Sequence, residues 1–393
     1  MEYGGYPELN PPAPEDEDNI IAALRQSDRV RSISLTITSR LSEKLCAIWL
    51  PLSKLEDLAL LSQESVPLTQ TLTSVFQCGA RLRRLHLTWV TFPALLQLLH
   101  SSRGLVDLQL HEVLFLRFCL AHILPFSGMT QLQSLSLHFL PTTYVYPPLP
   151  SGERVHLPVL ARFSFEGNAR CLESLVAGID APHLGRVELR FFDGANSAFP
   201  KLIRFINRIK LHKSHRRADV LSSERAISVS LTQLGTPTYL KIELLYAPLA
   251  LQLSFMVQIC TQLSTLFFDV EDLHINAMRP LRPEEIRRLR RETGRLIAGV
   301  KWFLVRELFA IYILCALQLS DTREETVLLP ALQRLYILEP GLGYTPCRAA
   351  IVSLMTSRLL SDHHIAVEYE RLSNESEVRG EGTAYESTTA TTC

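Results

Sequence analysis

Leu82-Arg-Arg-Leu85-His-Leu87 decides the fold, because this Leu-x-x-Leu-x-Leu pattern, or a close variant, occurs six times at a spacing of roughly 26 residues. The other five copies begin at Leu55, Leu105, Leu132, Leu160 and Leu184. A fixed period of about 20–29 residues with this local pattern is typical of a leucine-rich-repeat solenoid, in which each unit buries its apolar face against its neighbours.

The segments between these copies have the apolar spacing of helices, at 67–76 and 93–100 and, in shorter form, at 120–124 and 171–179. A helix that carries the chain back makes successive strands parallel. We therefore expect an α/β fold, an irregular leucine-rich-repeat solenoid with parallel strands on the concave side. The Asn or Cys that ends an ideal repeat is present only as Asn168, so we expect other groups to satisfy the turn backbone elsewhere.

Beyond Leu189 the period breaks, and the prediction is less regular. A helix is predicted at 199–209, followed by a basic loop at 210–217. Strands are predicted from alternation or from the returning motif at 227–231, 239–245, 263–270, 332–337 and 365–369.

Both ends of the chain are expected to lie outside the repeat array of residues 19–370. Residues 1–18 are predicted to be a disordered acidic and Pro-rich leader. The repeat array that follows is predicted to begin with a short helix over 20–26 and a strand over 30–37. Residues 371–393 are rich in Ser, Thr and Glu and are predicted to be a disordered tail.

Composition argues against several classes of function. The 393 residues carry 40 basic and 40 acidic side chains, so no overall charge favours nucleic acid. The eight cysteines form no Cys-x-x-Cys pair, which argues against a zinc module and a disulfide framework. No basic or apolar secretory segment opens the chain, so the expected location is intracellular, cytoplasmic or nuclear.

The segment 302–319, WFLVRELFAIYILCALQL, is nearly long enough to cross a membrane. Arg306 and Glu307 within it are costly at membrane depth. A buried or interface helix is the favoured interpretation, and a membrane-associated protein anchored through this segment is an alternative.

Residues between the buried leucines are expected to face the concave side, where neighbouring strands align them in three rows. The candidate partner-binding residues are Asp57, Arg84, His86, Thr88, Asp107, Gln109, His111, His138, Arg162, Glu166, Arg186, Glu188 and Arg190. Mixed charge and many hydrogen-bonding groups suit a protein partner of unknown identity, although a plain solvated sheet has the same composition.

Other candidate sites have simpler explanations. His111, His138 and Glu166 are adjacent in one row, but a spread of nearly ~10 Å suits a tetrahedral zinc ion poorly. The basic loop 210–217 has no interleaved aromatic residue and is interpreted as a surface loop. In the predicted helix 282–295, glutamates precede arginines as the helix dipole favours, and binding to a membrane surface is the lesser interpretation.

No catalytic motif is present: the chain lacks Gly-x-Ser-x-Gly, Gly-x-x-x-x-Gly-Lys, Gly-x-Gly-x-x-Gly and His-Glu-x-x-His. We therefore expect neither an enzyme nor a cofactor or metal site.

Five phrases resemble the repeat region of fungal F-box proteins, in the same order, over most of residues 19–370. They are SDRVRSISLTITSRLSEKL, LPLSKLEDLALLSQ, LRRLHLTWVTFPALLQLLHSSRGLVDLQLHEV, LPVLARFSFEGNARCLESLVAGIDAPHLGRVEL and LLPALQRLYIL. The resemblance implies a substrate receptor, in which an F-box module docks on a Skp-type adaptor of a cullin ubiquitin ligase and the repeats hold the target.

An F-box would occupy roughly 40 residues in three helices and is not recognisable before Ser27. The expected function is therefore the substrate-binding region of such a receptor, with the adaptor and cullin ligase as possible partners if an F-box lies upstream. The alternative is a stand-alone repeat scaffold without a ligase link.

Overall fold

The computed structural model describes the chain in fourteen segments. They are residues 14–46, 52–62, 81–89, 95–112, 128–139, 154–192, 199–209, 216–233, 239–247, 249–277, 298–306, 329–339, 351–356 and 365–371. The predicted helices at 67–76, 120–124 and 282–295 lie outside these segments, as do residues 1–13 and 372–393 of the predicted leader and tail.

Within the described segments, the protein has an α/β fold with a large, mostly parallel sheet of 14 strands that is not closed into a barrel. The chain divides into two compact units: unit 1 comprises residues 1–191 and 199–211, and unit 2 comprises 192–198 and 212–393.

Unit 1 alternates strands and helices. Its described strands are β1 (Ser32–Ile37), β2 (Asp57–Ser62), β3 (Arg84–Thr88), β4 (Asp107–His111), β5 (Ser134–His138), β6 (Val155–His156), β7 (Arg162–Gly167), β8 (Ile179–Asp180) and β9 (Arg186–Phe191). Its described helices are α1 (Pro14–Leu24), α2 (Ser39–Cys46), α3 (Leu95–Ser101), α4 (Ala169–Ala177) and α5 (Pro200–Arg208). Strands β1, β2, β3, β4, β5, β7 and β9 are parallel neighbours in that order, and β6 pairs with β8 in a separate parallel ribbon.

The leucines of the sequence motif form the core of unit 1. Buried and half-buried residues alternate along β2 to β5, as period-two side-chain geometry requires when one face of a sheet is covered. Leu85 and Leu108 are fully buried, and Phe163 meets Phe205 of α5 edge to face with ring centroids 6.2 Å apart. The motif therefore places one face of the sheet against the core.

Six strands of unit 1, namely β2, β3, β4, β5, β7 and β9, begin with a similar backbone arrangement. The first motif residue closes a turn by donating its N–H to the carbonyl three residues earlier, as Leu105 does to Ser102 at 3.2 Å. Two successive N–H groups then donate to one carbonyl of the preceding strand segment: the N–H groups of Val106 and Asp107 reach the oxygen of Arg83 at 2.7 and 3.0 Å. Equivalent acceptors, here called the entry carbonyls, are those of Arg31, Glu56, Arg83, Val106, Gln133 and Ala161.

The entry carbonyls satisfy pairs of backbone N–H groups at the starts of six strands of unit 1. A carbonyl oxygen has two lone pairs, so one oxygen can satisfy both N–H groups at the start of a strand. Asn168 has a local role instead, because its side chain accepts the N–H of Arg170 at 2.8 Å and caps α4.

Unit 2 contains both antiparallel and parallel strands. They are β10 (Arg217–Ser222), β11 (Ala226–Thr232), β12 (Tyr239–Leu245), β13 (Asp272–Ala277), β14 (Trp302–Arg306), β15 (Arg334–Glu339) and β16 (Ala366–Arg371). Strand β11 pairs antiparallel with β10 and β12, whereas β10, β13, β14, β15 and β16 are parallel neighbours in that order. The described helices are α6 (Leu249–Gln262) and α7 (Ser264–Phe267), with a further helical turn at 351–356.

The prediction for 263–270 was wrong. Residues Ser264–Phe267 are helical, and the strand is β13, seven residues later than the motif was placed. The buried set is Val270, Leu273 and Ile275, which has the same spacing as Leu-x-x-Leu-x-Leu. This region contains two overlapping apolar patterns. The one nearer the N-terminus forms the helix, and the later one forms β13.

The helical interpretation of 302–319 was wrong for its first five residues, because Trp302–Arg306 form β14 and pair with β13 and β15. Val300, Phe303 and Val305 are buried, so this strand too has the motif spacing. Residues 307–319 lie outside the described segments. Within the part of the chain that the structure describes, no helix is long and apolar enough to cross a membrane.

Two boundaries also differ from the prediction. Helix α1 begins at Pro14 rather than Ile20, because a first-turn proline followed by acidic residues suits a helix N-terminus. In the predicted basic loop, Arg217 is the first residue of β10, and residues 210–215 are not described.

Replacing Leu108 by alanine should lower the free energy of unfolding by about 2–5 kcal/mol, because the side chain is fully buried and a cavity would remain. The matched control is Leu221→Ala, at a leucine 45% exposed, which should cost below about 1 kcal/mol. Urea unfolding followed by circular dichroism measures both. Equal losses for the two variants would contradict this assignment of the core.

Candidate functional site

The parallel register of unit 1 aligns the predicted residues in three rows across β2, β3, β4, β5, β7 and β9. The first row is Asp57, Arg84, Asp107, Ser134, Arg162 and Arg186; the second is Ala59, His86, Gln109, Ser136, Ser164 and Glu188; the third is Leu61, Thr88, His111, His138, Glu166 and Arg190. The predicted alignment is confirmed in every pair. We call this surface the polar face; it is the side of the strands opposite the buried leucines.

At one end of the first row, Arg84 forms a two-pronged ion pair with Asp57. Its Nε and one terminal nitrogen donate to the two carboxylate oxygens, each at 2.6 Å. This hydrogen bonding holds the pKa of Asp57 below its usual range. The planar fork of a guanidinium matches a carboxylate, so the pair fixes both side chains across neighbouring strands.

Asp107 is an acceptor for several neighbours. His86 Nε2 lies 3.0 Å from Oδ2 of Asp107, and Gln109 Nε2 donates to the same oxygen at 3.1 Å. Burial raises the pKa of Asp107, but hydrogen bonds from His86, Ser134 and Gln109 outweigh it and the net pKa is lowered. The carboxylate therefore orients polar groups from β3, β4 and β5.

The third row contains a stacked pair of imidazoles. The rings of His111 and His138 lie 4.1 Å apart between centroids at an interplanar angle of 21°. Burial lowers the pKa of His111 to about 3, with His138 and His86 acting in the same direction. Burial also lowers the pKa of His138 to about 4, assisted by Arg190 and opposed by Glu188. At neutral pH both rings are therefore neutral.

Glu166 lies next to this pair. Its Oε2 is 3.6 Å from Nδ1 of His138 and 3.3 Å from a terminal nitrogen of Arg190. The row thus places His111, His138 and Glu166 side by side, as the sequence predicted. No group of three or more His, Cys, Asp or Glu side chains with metal-binding geometry occurs within the described segments.

The charges of the polar face balance. Four carboxylates, those of Asp57, Asp107, Glu166 and Glu188, face four guanidiniums, those of Arg84, Arg162, Arg186 and Arg190. Arg186 pairs with Glu188 at 2.6 Å. The exposed side chain of Arg162 has no hydrogen-bond or ion-pair partner among the described residues. Arg162 is therefore available to an external acceptor.

At the carboxyl ends of β3 and β4 the backbone turns through left-handed conformations. Trp89 has φ 58° and Glu112 has φ 56°, and neither is a glycine. Their N–H groups donate to the carbonyls of His111 at 3.0 Å and His138 at 2.8 Å, so the next strand holds each turn. Such strain occurs preferentially at functional sites. The indole of Trp89 is 41% exposed beside the polar face.

Sequence reasoning missed two clusters of charged residues. In unit 2, His274 lies between two carboxylates: Nδ1 is 3.3 Å from Asp219 and Nε2 is 3.0 Å from Asp272, while Arg217 also bonds Asp219 at 2.9 Å. The misplaced motif at 263–270 hid this cluster, because the correct strand puts His274 opposite Asp219. The second cluster is a pocket in unit 1 that includes Arg81 and Arg83.

Neither a protein-family model nor a curated protein matches this chain.

The histidine stack should make unit 1 sensitive to acid. In the unfolded chain both imidazoles titrate near pKa 6.5, whereas in the folded protein the pKa values are about 3 and about 4. Between these values the unfolded state binds more protons, so stability falls as pH falls from about 6.5 to about 4. In the double variant His111→Gln/His138→Gln, about two fewer protons should be taken up on unfolding across this window.

The measurement is the free energy of unfolding at a series of pH values. His183→Gln is the control, because that histidine is exposed and should leave the slope unchanged. The interpretation fails if the double variant keeps the pH dependence of the wild-type protein.

Proposed function

We propose that this protein recognises another protein through the polar face, and that it is the substrate-binding region of an F-box-type ubiquitin-ligase receptor. In this proposal the strands line the concave side of an irregular leucine-rich-repeat solenoid. The observation that carries it is the alignment of mixed polar side chains in three rows across six parallel strands. The resemblance of five sequence phrases to fungal F-box proteins supports the ligase link.

The three rows of the polar face are smaller than a complete protein interface. Six strands at a spacing of about 4.8 Å span about 24 Å, and three rows along the strands span about 14 Å. A stable protein interface buries about 800 Å² on each partner, which exceeds the projected area of the rows alone. A partner therefore also contacts the edges, of which the carboxyl edge carries Trp89.

The side chains of the polar face suit a protein rather than a nucleic acid. A phosphate backbone requires an excess of Lys and Arg, whereas the charges here cancel. Trp and Arg are the residue types most enriched among those that dominate binding energy at protein interfaces. Arg162, whose guanidinium has no partner among the described residues, and Trp89, with its exposed indole, are the expected anchors.

The internal ion pairs have a separate role in this proposal. The pairs Arg84–Asp57 and Arg186–Glu188 hold their side chains in one geometry before a partner arrives. Holding them in advance reduces the conformational entropy that is lost on binding. A partner would therefore meet a preformed pattern of donors and acceptors.

A photo-crosslinking residue in place of Ser136, at the centre of the second row, should capture a specific protein in the native cells. Arg162→Glu should reduce the crosslinked product at least about tenfold, because a favourable guanidinium contact is replaced by a repulsive charge. Arg170→Glu, at an exposed arginine next to the α4 N-cap, is the matched control and should leave the product unchanged. If the two charge reversals have equal effects, the polar face is not the binding surface.

The ligase link has its own test. The product of the full genomic open reading frame, tagged and purified from native cells, should bring a Skp-type adaptor and a cullin with it. Complete absence of the adaptor would contradict the ligase role. The alternative, a stand-alone repeat scaffold, would then remain, and the crosslinking experiment tests its protein binding separately.

A further inference from the structure

A pocket of about 480 Å³ lies at the amino ends of β2, β3 and β4 in unit 1. The residues that line it are Glu56, Arg81, Arg83, Gly104, Val106 and Gln131. Its volume is within the range of about 300–1,000 Å³ typical of small-molecule sites. Because none of these residues belongs to the three rows, the pocket is distinct from the polar face.

The pocket presents two guanidiniums without internal partners. Within the described segments, the side chains of Arg81 and Arg83 have no hydrogen-bond or ion-pair partner, although both line the same cavity. Elsewhere in unit 1, Arg84 and Arg186 are neutralised by Asp57 and Glu188. The guanidinium N–H groups of both arginines therefore make no hydrogen bond within the described part of the chain.

The other residues that line the pocket indicate which chemical groups a ligand would need in order to bind there. The amide of Gln131 adds a further donor, and Val106 and Gly104 supply a short apolar wall. Glu56 is the only acidic residue in the lining, so positive charge exceeds negative charge there. Guanidiniums bind carboxylate and phosphate groups through paired N–H donors, which makes an anion the complementary ligand.

The backbone holds the pocket in place. Glu56, Arg83 and Val106 each contribute an entry carbonyl, and the N–H of Arg83 itself donates to Glu56 at 2.7 Å. These hydrogen bonds fix the spacing of three lining residues that immediately precede three neighbouring strands. A site on such a scaffold needs little reorganisation when it binds.

We infer that this pocket binds a small organic polyanion through Arg81 and Arg83, with Gln131 as an additional donor and Glu56 limiting affinity. The anionic groups are carboxylates or phosphates, both of which fit the donors. This proposal of anion binding is independent of whether the polar face binds a protein.

The test uses isothermal titration calorimetry on the full chain, with citrate as the carboxylate probe and tripolyphosphate as the phosphate probe. At least one probe should bind, and the double variant Arg81→Gln/Arg83→Gln should weaken it at least about tenfold, because charge-assisted hydrogen bonds are lost. The control Arg25→Gln/Arg29→Gln removes the same charge at two exposed arginines outside the pocket and should bind as the wild-type protein does.

A third variant moves affinity in the opposite direction and does not rely on loss of function. Glu56→Gln removes the repelling carboxylate and should strengthen binding by about threefold, an effect that added salt reduces. If the double arginine variant does not fold, Glu56→Gln decides the question: stronger binding supports the site and unchanged binding overturns it.

The two probes distinguish the source of the anion. Binding of citrate alone assigns carboxylates, binding of tripolyphosphate alone assigns phosphates, and binding of both assigns the shared chemistry. The site is rejected if neither probe binds, or if the control pair weakens binding as much as the pocket pair does.

Discussion

The structure depends on a backbone interaction that recurs at the start of nine of the described parallel strands. One carbonyl accepts two successive N–H groups from the next strand segment, at Arg31, Glu56, Arg83, Val106, Gln133 and Ala161 in unit 1. Unit 2 uses the carbonyls of Arg216, Glu271 and Lys301 in the same way. Because each interaction fixes where a strand begins, it also fixes which side chains reach the core and which reach the polar face.

Register was the most predictable property of this chain. The spacing of leucines from Leu55 to Leu189 placed every strand of the polar face opposite the correct neighbour. Aligning the buried leucines of successive motif copies excludes a one-residue slip and matches equivalent positions, so Asp57 and Arg84, or His111 and His138, could be paired from the sequence alone. Whether those rows bind a partner is a different question, which spacing does not address.

The less predictable parts have physical reasons. Around Leu263 two apolar patterns overlap. The residues of the first pattern form a helix, whereas Val270, Leu273 and Ile275 are the buried residues at and just before the strand. At Trp302, a long apolar run suggested a helix because strand and helix are not separable by hydrophobicity alone. The pocket with Arg81 and Arg83 was missed because the three rows were taken from strand positions alone, whereas Arg83 is the motif residue just before β3 and Arg81 precedes the motif.

The polar face contains both internally bonded groups and groups that are open to solvent. Asp107 accepts from neighbours on three strands, and the pair Arg84–Asp57 is closed on itself. Arg162 and Trp89, by contrast, present a guanidinium and an indole to solvent. Rigid surroundings around a few open groups are the arrangement in which a small number of contacts can dominate recognition.

The entry carbonyls also bear on how such a chain can change length. In unit 1 they lie at residues 31, 56, 83, 106, 133 and 161, so the number of residues between successive ones varies while the geometry of strand entry does not. Residues can therefore be gained or lost along the return path without disturbing the rows. A single insertion between an entry carbonyl and the last buried leucine of its strand would instead turn the polar side chains towards the core. Natural variation in length should accordingly be confined to the return paths.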